Sequence, residues 1–417
     1  MQTPVIKMEE IKSSNDPSTW KPIVVELWNM INDTPEWRAA FQAAIDEANC
    51  YDLPEMVHIK NSNDYCRFMN DYVTWVPSED KDARKIYNII CLSYFIIDQP
   101  AVFSFQTQVI PQSAGNPPTR LSRWIVKFAE SLGTDWLDQP GSLTKESLKT
   151  FYNSPPYHME DFKVPAGGWK TFNEFFAREL KPGMRPIGEP HNPYAITSPI
   201  DGVFDGHWDI NSESEVVFIK GVPWSITQLL QGSRFASAFK NGQFTHTYLS
   251  PLDYHRQHSP VSGTVLEARP IKGAAYLEVV VKAKYNDVAV EPVFGPPDHS
   301  PQGNPDHHLV MTRGLEMPDN PGYQFIQLRG LIVIDSPLGL VAVLPIGMAQ
   351  VSSVHITCEV GQKLDKGDEI SFFQFGGSDC IMVFEENARV DFTGTEVGKH
   401  YKYGEIVARA RLPEVKT

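Results

Sequence analysis

An apolar, aromatic run, Ser371-Phe-Phe-Gln-Phe375, reads as a strand and stops at Gly376-Gly377-Ser378-Asp379. Two adjacent glycines break the side-chain pattern, take backbone angles closed to other residues and let other groups approach closely. The serine hydroxyl lies beside the carbonyl of the preceding peptide, the arrangement a serine needs to attack its own backbone. The same residues also suit a tight hairpin turn. Only the rest of the chain can separate these two readings.

The 417 residues suggest more than one domain. A formal charge of −14 argues against nucleic-acid partners and against a basic patch that docks on anionic lipid. Cys50, Cys66, Cys91, Cys358 and Cys380 are scattered with no C-x-x-C pair, a pattern that predicts reduced thiols and a cytoplasmic location. The stretch from Met1 to Trp20 is polar and charged, so no signal peptide is expected there. The most apolar run, Ile86 to Ile97, falls short of the roughly 20 residues of a membrane span and predicts a buried helix. A soluble protein with no membrane span is therefore expected.

The front of the chain reads as helical. Val24, Leu27, Trp28 and Ile31 keep the spacing of one helix face, and Thr34-Pro35 looks like an N-cap followed by proline at the first helical position. Trp37, Phe41, Ala44 and Ile45, then Leu121, Trp124, Ile125 and Phe128, give two more apolar stripes, read as core. A short amphipathic helix is expected over 171–180, ahead of the break Lys181-Pro-Gly-Met-Arg-Pro186. After about residue 195 strands dominate, among them Val216 to Ile219, Val279 to Val281, Ile332 to Ile334 and Leu340 to Leu344, with a hairpin turn at Asp335 to Gly339. The Pro-rich stretch 291–308 reads either as a lid or as a surface insertion. The fold class is α+β: a helical domain over 1–160 and a β-rich catalytic domain over 161–417.

Three polar clusters stand out in the β-rich part: Ser198-Pro-Ile-Asp201-Gly202, Tyr248-Leu-Ser-Pro-Leu-Asp-Tyr-His255-Arg-Gln-His258, and Gly377-Ser378. They supply a carboxylate, a base and a hydroxyl. Serine is a weak nucleophile unless a histidine takes its proton, and a carboxylate that orients the histidine helps. The order Asp201, His258, Ser378 therefore offers a triad. Asp201 equally suits a turn. With no H-E-x-x-H and no cysteine pair, no metal site is expected. The hydrolase elbow G-x-S-x-G is absent.

These stretches, with Phe172-Asn-Glu-Phe-Phe-Ala-Arg-Glu-Leu-Lys-Pro-Gly-Met-Arg-Pro186 and Phe373-Gln-Phe-Gly-Gly-Ser378, resemble the phosphatidylserine decarboxylase family over about residues 165–417. Lys220-Gly221 and Gly347-Met348 fit weaker family positions. The helical front resembles a fungal-type subgroup that includes the soluble L-tryptophan decarboxylases of psilocybin biosynthesis. The resemblance implies a pyruvoyl cofactor made from Ser378. His258, held by Asp201, would take the Ser378 proton; Oγ would attack the Gly377 carbonyl to give an ester. Elimination and hydrolysis would then leave a pyruvoyl group and release ammonia. Chains 1–377 and 378–417 would stay associated. The ketone would take up the substrate amine and act as electron sink as carbon dioxide leaves. His255 would be the proton donor or pocket acid, or else simply a histidine bonded into the sheet. Asp379 stands where Thr or Ser is commoner in the family, and its carboxylate is expected to repel a nearby oxyanion.

The resemblance thus implies decarboxylation of a free L-amino acid, an aromatic one of the tryptophan kind. Phosphatidylserine is the alternative substrate, and a relative that never cuts itself would be a binding protein. Neither the accepted side chain nor the oligomeric state follows from the sequence.

Overall fold

The computed structural model describes residues 11–211, 215–219, 222–289, 307–317, 322–349, 354–375 and 377–411. Helices α1 (Pro22–Asp33), α2 (Pro35–Asn49), α3 (Ser62–Tyr72), α4 (Lys85–Phe95), α5 (Arg120–Glu130) and α6 (Lys145–Tyr152) fill the front of the chain. Thr34 caps α2 as expected: its hydroxyl accepts from the Trp37 N–H at 3.2 Å, and Pro35 sits where a free N–H would be unsatisfied. Thr119 caps α5 in the same way, and Leu121, Trp124, Ile125 and Phe128 all face inward from it. The Ile86–Ile97 run is the buried helix α4 with its C-terminal extension.

The helix α7 is shorter than its amphipathic pattern suggests, spanning Phe172–Phe176. The Ala177 N–H closes onto Asn173, and the chain then leaves to pair Leu180 with Phe162. Arg178 is drawn inward, its guanidinium 4.0 Å from the Phe162 ring centroid, and this ends the helix.

The β-rich part is built from β1 (Gly202–Asp209), β2 (Gln243–Leu249), β3 (Arg256–His258), β4 (Gly263–Ile271), β5 (Arg329–Ser336), β6 (Gly339–Met348), β7 (Val354–Ile356), β8 (Lys363–Leu364), β9 (Glu369–Phe373), β10 (Gly377–Phe384) and β11 (His400–Tyr401). An antiparallel sheet runs in the order β8-β4-β5-β6-β10-β2-β1-β11, and a second, small sheet in the order β7-β9-β3. The Asp335–Gly339 turn is the expected hairpin, Ser336 pairing with Gly339, whose φ of 100° suits a residue without a Cβ. Val216–Ile219 is a strand, and the strand expected at Val279 begins at Val280. Of the stretch 291–308, only the last two residues are described, at the start of the strand His307–Glu316. Lys220 and Gly221 lie outside the described residues.

Packing joins the two parts. One apolar cluster runs from α1–α5 through Phe172, Phe175 and Phe176 to Tyr276, Met348, Phe373 and Phe375. Burying each such side chain contributes roughly 1.5–3 kcal/mol. The helices therefore lie against the end of the sheet where Met348 pairs with Gly377. The fold is α+β.

Candidate active site

Gly377-Ser378 is not a hairpin turn. The strand before it, β9, pairs with β7 and β3, whereas β10 pairs with β6 and β2. The chain passes from one sheet to the other between Phe373 and Gly377, so Ser378 is the second residue of a new strand, opposite Gly347 and Leu249. Side chains alternate along β10. Cys380, Met382 and Phe384 pack with Ile200, Leu249, Val261 and Ile370, whereas Ile381 and Val383 pack with Phe244 and Phe325. Ser378 falls on the first of these faces and Asp379 on the second. The expected repulsion between Asp379 and an oxyanion at Ser378 therefore loses its geometric basis, because the carboxylate is on the far side of the sheet.

Ser378 is fully buried, and its hydroxyl has no hydrogen-bond partner among the described residues. A buried, unsatisfied hydroxyl is costly and calls for a reason. Here it leaves a nucleophile beside the Gly377 carbonyl with nothing competing for its proton.

His258 ends β3. Its main-chain N–H donates to the Pro199 carbonyl at 2.8 Å, which ties the Ser198–Gly202 turn to the histidine. Nδ1 donates to the Gly367 carbonyl at 2.8 Å, so this nitrogen carries the proton and Nε2 is the acceptor, meeting the Tyr254 hydroxyl at 3.1 Å. The imidazole lies flat on Tyr403, with centroids 3.8 Å apart and planes at 6°. Burial lowers its pKa to about 4, with Arg256 adding to the shift and the Gly367 bond opposing it. It is therefore neutral near pH 7, the form a general base needs.

Asp201 does not hydrogen-bond to His258, the contact expected from the triad reading. Its carboxylate is taken by the Arg185 guanidinium, with Nη2 to Oδ2 at 2.6 Å and Nε to Oδ2 at 3.0 Å, and by the Tyr403 N–H at 2.8 Å. The guanidinium fork matches a carboxylate's two oxygens and outcompetes a neutral imidazole. Asp201 reaches His258 through Tyr403, whose N–H it accepts and whose ring carries the imidazole. Gly202 is required next to it, since a Cβ there would lie 2.5 Å from the Tyr248 carbonyl oxygen.

His255 is also fully buried, and neither ring nitrogen has a hydrogen-bond partner among the described residues. Its ring lies 3.8 Å from Phe176, which in turn meets Phe375 at 5.5 Å, three residues before Ser378. Burial holds its pKa well below the ordinary histidine range, and the nearby Arg178 cation pushes the same way. The Asp253 main chain opposes the shift but sits outside hydrogen-bond geometry. Arg178 also grips the loop that leads to His255, with Nη2 donating to the Leu252 carbonyl at 3.1 Å.

Arg185, Tyr254, Gly367 and Tyr403 were not singled out from the sequence. Arg185 and Tyr254 lie within stretches that carry the family resemblance, and this was the available signal for them. Tyr403 has none, because it meets His258 only in the folded chain. Among the described residues, no group of three or more His, Cys, Asp or Glu is placed to hold a metal, and no helix is long and apolar enough to cross a membrane.

Comparison with known proteins shows the family. The sequence model for phosphatidylserine decarboxylase matches residues 172–409. Phosphatidylserine decarboxylase proenzyme 3 of Schizosaccharomyces pombe is 32% identical over 252 residues, which are 60% of this chain but 22% of that longer protein. The decarboxylase iboD of Amanita muscaria is 30% identical over 306 residues, covering 70% of this chain and 82% of the relative. A phosphatidylserine decarboxylase proenzyme of Fusobacterium nucleatum is 28% identical over 256 residues, 61% and 73% of the two chains. The matched span takes in the Arg185–Asp201 pair, both histidines and the serine at the sheet crossing, and the chain belongs to the phosphatidylserine decarboxylase family, a family of carboxy-lyases.

Proposed function

We propose that the chain is a pyruvoyl-dependent decarboxylase of a free L-amino acid, an aromatic one of the tryptophan kind, matured by its own cleavage between Gly377 and Ser378. The observation that carries this reading is the buried, unpartnered Ser378 hydroxyl at the crossing between two sheets. The relatives' designation as proenzymes supports a cut, and the match to iboD over 82% of that decarboxylase supports decarboxylation by a chain of this size. In this reading residues 1–160 form the helical domain and 161–417 the catalytic one. The sparse, unpaired cysteines suit a reducing cytoplasm.

Maturation needs no outside reagent but water. His258 Nε2, once free of Tyr254, takes the Ser378 proton, and Oγ attacks the Gly377 carbonyl carbon. The C–N bond breaks as nitrogen gains a proton, and an ester remains. Loss of the Ser378 Cα proton expels the Gly377 carboxylate, and water then replaces nitrogen, which leaves as ammonia. Chains 1–377 and 378–417 stay together because β10 is hydrogen-bonded between β6 and β2. The finished pyruvoyl group would supply a ketone that accepts the substrate amine and draws off the electrons of the leaving carboxylate. Around it, His255 would return a proton, and Phe176, which packs on it, and Phe375, which packs on Phe176, would keep water from the site.

Phosphatidylserine is the second reading, favoured by the names of most of the similar proteins. Release of carbon dioxide from free L-tryptophan and from phosphatidylserine micelles is the test. Turnover of the lipid alone overturns the amino-acid reading; turnover of the amino acid alone supports it.

A further inference from the structure

The first residues of β10 lie at the rim of the sheet. Ser378 pairs with Leu249, the last residue of β2, and with Gly347, the last but one of β6. Strand ends fray when nothing beyond the ladder holds them. In the uncut chain, continuity with Gly377 supplies the tether. A break before Ser378 removes it, and the residue that carries the chemistry becomes a loose chain end.

On the opposite face of the sheet a polar cluster holds the next residue. The Gln324 amide nitrogen donates to Asp379 Oδ2 at 3.1 Å and lies 2.9 Å from His246 Nε2. The Gly322 N–H donates to Gln324 Oε1 at 2.6 Å, which fixes which end of that amide faces Asp379. His246 Nε2 is itself 3.3 Å from Asp379 Oδ2, and its Nδ1 is 3.2 Å from Asp205. Asp379 is fully buried, and its Oδ1 has no partner among the described residues. A buried carboxylate is retained at high cost unless it has a role.

We propose that Asp379, gripped by Gln324 and His246, is a positioning residue that pins the start of β10 once the peptide bond before Ser378 is gone, so that residue 378 keeps its place at the active site. This rests on the maturation proposed above. The grip comes from the face opposite the reacting side chain, so it holds the chain end without occupying the substrate's space. Reacting atoms must be placed to within a fraction of an ångström, so a frayed end lowers turnover more than binding.

The test compares wild type with D379A, Q324L, the double variant and D379N. Cleavage is read by denaturing mass spectrometry and turnover by carbon dioxide released from L-tryptophan and from phosphatidylserine. The expected result is that D379A and Q324L are cut but lose about tenfold or more in kcat, with KM changed less than about threefold. The double variant should be no worse than D379A, since both remove one contact. D379N, which keeps an oxygen for Gln324, should recover most of kcat. If D379A fails to fold or cut, Q324L, which leaves β10 intact, decides. An intact wild-type chain overturns the maturation and the anchor together. A cut wild type with unchanged kcat in Q324L overturns the anchor alone, as does a D379N as impaired as D379A.

Discussion

The His258 imidazole lies flat on the Tyr403 ring, 3.8 Å between centroids, while the Tyr403 N–H is bonded to Asp201. One residue thus links the Asp201 carboxylate and the His258 imidazole, the first through its backbone and the second through its ring. Tyr403→Phe keeps both contacts and should cut itself at close to the wild-type rate. Tyr403→Ala keeps only the backbone bond and should slow cleavage by about tenfold or more, in the range of a misplaced general base. The appearance of the 378–417 fragment over time measures both. Equal rates in all three proteins would remove Tyr403 from the mechanism.

Ser378→Ala should yield one uncut chain with no turnover, because the proposed nucleophile is removed. Intact mass is the measurement. Two chains from this variant would place the cut elsewhere.

His255→Ala should still be cut but lose turnover by about 10²–10⁴-fold, the usual contribution of a positioned acid or base. Its ring packs on Phe176, and in the proposed scheme it acts only after the cut, so the cut should survive its loss. An uncut His255→Ala would exchange the roles of the two histidines.

Arg185 and Asp201 are a buried pair, with side chains 8% and 5% exposed. Arg185→Met leaves the carboxylate with the Tyr403 N–H and no cation, and should destabilise the fold by about 3–5 kcal/mol. Urea unfolding of the Ser378→Ala background, which keeps one chain, measures it without interference from cleavage. A loss below about 1 kcal/mol would show the pair to be dispensable.

Stability should fall as pH drops. The His258 pKa is about 4 in the folded chain against an ordinary 6.5. The unfolded state therefore binds more protons across that window. The stabilisation is full above about pH 6.5 and is lost on the way down to pH 4, by up to about 3 kcal/mol. His255, also depressed, adds in the same direction. Urea midpoints for Ser378→Ala with and without His258→Phe, from pH 7 to pH 4, test this. The slope should flatten when His258 is removed.

Local chemistry was legible directly. The Thr34 cap, the proline at the start of α2, the apolar helix faces and the Asp335–Gly339 hairpin all depend on residues within a turn or two of one another, and the sequence alone determined them. The stretches with Asp201, His255, His258 and Ser378 could likewise be named, because each carries its residue types in a short run. Tertiary structure decided what those residues touch. Nothing in the spacing shows that 371–375 and 378–384 belong to different sheets, since a hairpin and a crossing use the same glycines. Asp201 had several possible partners, and the choice of Arg185 over His258 came from a guanidinium brought in from 16 residues away and a backbone N–H from 202 residues away. Such contacts are set by which groups burial leaves facing each other. That depends on how the sheets and helices pack, which no local pattern encodes.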